Sequence, residues 1–100
     1  MAILDTYRTN DGRGYFTFKF VNEGPYWRAD IENAPSFGSR DGSNLHLSHR
    51  LPSSTAATGY RVCFGNDYDA SSLEKARKFS EAWAEALWEW IKTGRRINGF

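Results

Sequence analysis

Polar and apolar positions alternate along much of the first third of the chain. Between Tyr15 and Val21, Phe16, Phe18 and Phe20 point one way, and Tyr15, Thr17, Lys19 and Val21 point the other. The alternation resumes at Tyr26. Trp27, Ala29 and Ile31 share one face; Tyr26, Arg28, Asp30 and Glu32 share the opposite one. Residues 2–9 read as a strand before these two, and Asn10-Asp11-Gly12-Arg13-Gly14 is a turn rich in residues that tolerate positive φ. A two-residue turn at Glu23-Gly24 would set Phe20 opposite Trp27 and Lys19 opposite Arg28, a like-charge pair. A longer loop forced by Pro25 would give another register. The pattern leaves both open.

Residues 34–44 are dense in turn formers and read as a loop, as do residues 52–59. Between them, Leu45 to Leu51 alternates weakly and suggests a fourth strand. Tyr60, Val62 and Phe64 mark another.

Leu73, Ala76, Phe79, Ser80, Trp83, Ala84, Leu87, Trp90 and Ile91 then recur at three- and four-residue intervals, the stripe of an amphipathic helix. Ser71-Ser72-Leu73-Glu74 has the form of a capping box at its start. Gly94 is a stop signal, and Arg95 and Arg96 suit the negative end of the helix dipole. The expected fold is α+β: an antiparallel β-meander of about four to five strands within residues 2–65, with one long C-terminal helix, about 71–93, packed on one face. The whole of 1–100 reads as a single domain.

Composition narrows the chemistry. Among 100 residues, thirteen Lys and Arg stand against twelve Asp and Glu, a net charge of +1. That balance suits neither an acidic nucleic-acid mimic nor a basic nucleic-acid coat. No apolar run is long enough to span a bilayer, and Asp5 interrupts the N-terminus too early for a signal peptide. A single cysteine, Cys63, fits a reducing cytoplasm. His46 and His49, three apart, would point to opposite faces of a strand, and neither a second cysteine nor a local carboxylate completes a ligand set. No metal and no cofactor is expected. No nucleophile elbow, phosphate-binding loop or dinucleotide fingerprint occurs, so no enzyme is expected either.

The sixteen aromatic residues are the unusual feature. Nine have core positions on the patterns above. Of the rest, Tyr15 and Tyr26 fall beside Lys19, Arg28 and Arg61 on the outer sheet face, the ingredients of a single-strand nucleic-acid platform or of a protein contact. Trp88 projects toward the polar flank of the helix, and Phe37 lies in the 34–44 loop. Each anchors either a neighbouring loop or a partner. With Arg95 and Arg96, these make up the candidate contact set.

Two stretches carry a resemblance. Lys75-Ala76-Arg77, Trp83-Ala84-Glu85-Ala86-Leu87 and Trp90 to Arg96 resemble the last helix of small proteins from phages and integrated mobile elements. Pro35 to Arg40, Leu45-His46-Leu47 and His49-Arg50-Leu51 are similar to their central region. Small inhibitors of bacterial immunity, anti-CRISPR proteins among them, are of this kind. The resemblance implies a non-enzymatic protein of the host cytoplasm that occupies a surface of a defence complex, such as a CRISPR-Cas effector. The near-neutral charge favours steric or allosteric blocking over DNA mimicry. The alternative is a small single-stranded nucleic-acid-binding domain using the open sheet face.

Overall fold

The computed structural model describes residues 2–97, and the α+β arrangement is the one expected. Five antiparallel strands form an open sheet: β1 (Ala2–Arg8), β2 (Tyr15–Asn22), β3 (Trp27–Asn33), β4 (Arg50–Pro52) and β5 (Tyr60–Val62). A short helix, α1 (Leu45–Ser48), precedes β4, and the long helix α2 (Leu73–Thr93) closes the fold.

The first three strands form a meander, but the full order is β1-β2-β3-β5-β4. The 34–44 loop carries the chain past β3 to the far edge, and β5 returns to fill the gap. The register differs from the two-residue-turn alternative. Pro25 takes part in a four-residue connection closed by Glu23 N–H donating to Tyr26 O at 2.9 Å. Phe20 therefore faces Ala29, Phe18 faces Ile31, and Lys19 faces Asp30 rather than Arg28. The like-charge pair does not form.

Phe16, Phe18 and Phe20 are fully buried beneath α2. Trp83 meets Phe16 and Phe18 edge-on, with ring centroids 5.6 Å and 6.0 Å apart. Buried Ala76, Ser80 and Ala84 keep the helix face small enough to approach the sheet. The hydroxyl of Ser80 is buried without a hydrogen-bond partner among the described residues.

The stop of α2 at Gly94 is the one expected, whereas its N-terminal cap and the cation at its C-terminal end are not. The cap is Ser72, whose side chain accepts from Lys75 N–H at 3.1 Å, so Glu74 sits one position too early to close a capping box. At the other end Gly94 adopts φ 78° and donates to Trp90 O. The cation on the last carbonyls is Arg40 from the 34–44 loop, whose Nε donates to Trp90 O at 3.1 Å and lies 3.3 Å from Ile91 O.

Leu45 to Ser48 is helical, not extended. Asn44 caps it by accepting from Leu47 N–H at 3.1 Å, and His49 ends it in the left-handed region at φ 52°. Trp83 Nε1 donates to Ser48 O at 2.9 Å, which ties this short helix to α2.

Candidate binding surfaces

The outer face of the sheet was the expected contact surface, and its two halves differ. Over β3 and β5 it lies beneath the 53–59 loop. Asp30 is central there and fully buried. Ser53 and Thr55 donate hydroxyl hydrogen bonds to its carboxylate at 2.7 Å and 2.6 Å. Arg28 Nε donates from 3.1 Å, and Lys19 Nζ lies 3.8 Å away. Burial alone would push this carboxyl up. The hydrogen bonds from Thr55, Ser53 and Arg28 outweigh it and hold the group below the usual carboxylate range.

Lys19 and Arg28 are thus not an open cationic platform. Lys19 also lies 3.8 Å from Glu32 and donates to Thr55 O; Arg28 pairs with Glu23. Arg61 faces Asp30 across the β3–β5 pair and is partly buried. The loop is further held by Ala57 N–H donating to Glu32 at 2.7 Å and by Thr58 donating to Ile31 O at 2.6 Å.

Along β1 and the start of β2 the same face is open. Leu4 is 66 % exposed and Tyr15 47 % exposed, with Thr6 and Arg8 exposed between them. The Arg8 guanidinium lies 5.4 Å from the centre of the Tyr15 ring. β1 is also one of the two edge strands of the sheet.

The remaining expected residues are distributed around the molecule. Tyr26 sits in the β2–β3 connection, where it meets the exposed Tyr68 ring edge-on at 5.4 Å. Phe37 packs edge-on against Trp90 at 5.4 Å and under the Arg50 guanidinium at 4.9 Å, so it anchors its own loop. Trp88 fastens the β1–β2 turn. Its Nε1 donates to Asp11 at 2.8 Å, and a Cβ at Gly14 would lie 2.9 Å from its ring. Lys92 Nζ donates to the same carboxylate at 2.9 Å. Hydrogen bonds from Trp88, the Arg13 backbone and Lys92 hold Asp11 well below the usual carboxylate range.

Arg95 and Arg96 are exposed beyond the end of α2. Arg96 borders a hollow that it shares with His46 and His49. On α1 these two histidine rings lie side by side, 6.3 Å apart and 19° from parallel, instead of on opposite faces of a strand. No group of three potential metal ligands gathers among the described residues.

Sequence reasoning missed Leu4 and the roof on Asp30. A signal for Leu4 existed in the alternation of Ala2, Leu4, Thr6 and Arg8, which puts a large apolar side chain on the outer face of β1. Nothing periodic marks where the 53–59 loop lands.

Comparisons with protein-family models, with curated proteins and with solved structures found no match to this chain. No helix among the described residues is long and apolar enough to cross a membrane.

Proposed function

We propose that this chain is a non-enzymatic binding protein of a phage or mobile element. Acting in the host cytoplasm, it docks on a bacterial defence complex of the CRISPR-Cas kind and blocks it sterically or allosterically. The class of partner comes from the resemblance in the central segment and last helix. The observation that supports a binding role is the open stretch along β1 and the start of β2, where Leu4 and Tyr15 stand exposed on one face and Tyr15 lies beside the Arg8 charge.

Burying a leucine side chain is worth about 1.5–3 kcal/mol, and tyrosine and arginine are enriched among the residues that dominate interfaces. The arrangement favours a protein partner over single-stranded nucleic acid. Lys19 and Arg28, needed to follow a phosphate backbone, are paired with Asp30, Glu32 and Glu23.

The test is phage plating on bacteria whose CRISPR-Cas system targets that phage. Expression of the chain is expected to restore plaques. A Leu4→Lys, Tyr15→Ala variant, checked for folding by circular dichroism, is expected not to. Plaques restored equally by both would remove this surface. Failure of the native chain against representative CRISPR-Cas types would remove the function. A gel shift with labelled single strands at low and high salt tests the nucleic-acid alternative.

A further inference from the structure

A second candidate site, apart from Leu4 and Tyr15, follows from α1. The helix ends after one turn because His49 enters the left-handed region, the only residue other than glycine with positive φ among those described. Its N–H reaches back to the carbonyls of Leu45 and His46, and its own carbonyl accepts from Cys63 N–H at 2.9 Å. The backbone is therefore held from both sides. The result is a wall of two nearly parallel imidazoles between two open hollows.

The hollows differ in character. The smaller, of about 200 Å³, is bordered by Leu47, Arg96 and Ile97 beyond the histidines. The larger, of about 380 Å³, runs along Leu45, Leu51 and Cys63 and is lined mainly by carbon. Among the described residues no acidic side chain lines either one. Arg96 is exposed and has no partner among the described residues, so its charge is available. Arg50, at the border of the larger hollow, is committed elsewhere. It donates to Ser48 and Gly42 and lies 4.1 Å from the centre of the Tyr60 ring.

The geometry points to a docking site for an acidic peptide segment of a partner protein. A bulky apolar side chain of that segment enters the larger hollow, and a neighbouring carboxylate meets His46 and Arg96 at the smaller one. Charge decides the sign of the occupant, because the border offers the Arg96 cation and the His46 ring, with no carboxylate among the described residues. Shape decides its class. Both hollows are open clefts, whereas small-molecule sites enclose most of their ligand. A side chain presented from an extended segment fills an open cleft while its backbone stays outside.

Selection of a displayed library of random short peptides on the immobilised chain tests this. Enriched sequences are expected to carry one bulky apolar residue flanked by Asp or Glu. A synthetic peptide from that set should perturb the amide shifts of residues 45–51, Cys63 and Arg96. By fluorescence anisotropy its affinity should fall about tenfold or more in Arg96→Glu, a 1.4 kcal/mol change. Tyr15→Ala, on the sheet face, should leave it intact. Arg96 is exposed and without a partner among the described residues, so its variant keeps the fold, as circular dichroism will check. No enrichment, enrichment of basic peptides, or binding indifferent to Arg96→Glu would each overturn the site.

Discussion

Over β3, β5 and the middle of β2 the outer face of the sheet lies under the 53–59 loop, whereas along β1 and the start of β2 the same face is open. The first half contains a buried carboxylate, Asp30, held by two hydroxyls and two cations. The second carries Leu4 and Tyr15 in the open. The contrast separates two uses of charge and aromaticity that look alike in the sequence. The cations of the roofed half serve the fold; the apolar residues of the bare half are left over from it.

Removing the centre of the roofed half should have the largest effect. Asp30→Ala leaves Arg28 and Lys19 facing a vacated, desolvated position. It should cost about 3–5 kcal/mol, as seen when one partner of a buried pair is deleted. Urea unfolding measures it, and a loss below about 1 kcal/mol would mean that the roof is not held by this carboxylate. The folded-state pKa of Asp30 lies below its unfolded value. Its contribution is therefore present above the ordinary carboxylate range and is lost as pH falls through the depressed value. In Asp30→Ala that part of the acid-induced loss should disappear.

Thr55→Val removes one of the charge-assisted hydrogen bonds to Asp30 and should cost about 1.5–3 kcal/mol. Coupling measured in the double variant with Asp30→Ala would show the two acting as one unit.

The bare half is held from its other side, where the Tyr7 hydroxyl donates to Glu85 and Arg77 pairs with Asp5. Tyr7→Phe should cost about 0.5–1.5 kcal/mol. Burial first, and then the Glu85 carboxylate, raise the Tyr7 pKa from 10.0 to about 12. The native state therefore keeps its phenol proton where the unfolded chain has lost it. This stabilisation is complete below about pH 10 and disappears as pH rises toward 12. Thermal melts of the native chain and Tyr7→Phe in alkaline buffers should converge across that interval.

Ser80→Ala removes a buried hydroxyl with no partner among the described residues and should be neutral or stabilising by up to about 1 kcal/mol. A loss of more than that would reveal a hydrogen bond made by this hydroxyl. The smallest stability change is expected for Leu4→Thr, within about 0.5 kcal/mol, because the side chain already stands in solvent. The same substitution should abolish protection of phage plating, and that asymmetry distinguishes a contact residue from a structural one.

The long elements were legible because their periods persist. Three phenylalanines at every second position place β2, and the stripe from Leu73 to Ile91 places α2. Shorter elements were not. Leu45, Leu47 and Leu51 alternate as a strand would, yet the Asn44 cap and the left-handed His49 make one helical turn. The β2–β3 register depended on Pro25, which the alternation alone could not weigh. The roof over Asp30 is tertiary: Ser53 and Thr55 meet a residue more than twenty positions away in the chain. That is why Lys19 and Arg28 looked like free cations. The bare surface was half legible, through Tyr15 but not Leu4.

The fastenings between the first strand and the last helix have a consequence for synthesis. Tyr7 and Glu85 are 78 residues apart in the chain. At about 5–20 residues per second, roughly 4–16 s pass between the ribosome's addition of one and of the other. For most of that interval Phe16, Phe18 and Phe20, once made, lack the helix that covers them, because Trp83 is added only near its end. The nascent sheet is an exposed apolar surface for seconds, the species that general chaperones bind. Raising the translation rate of the α2 segment should therefore increase the yield of native protein without altering a single contact in it.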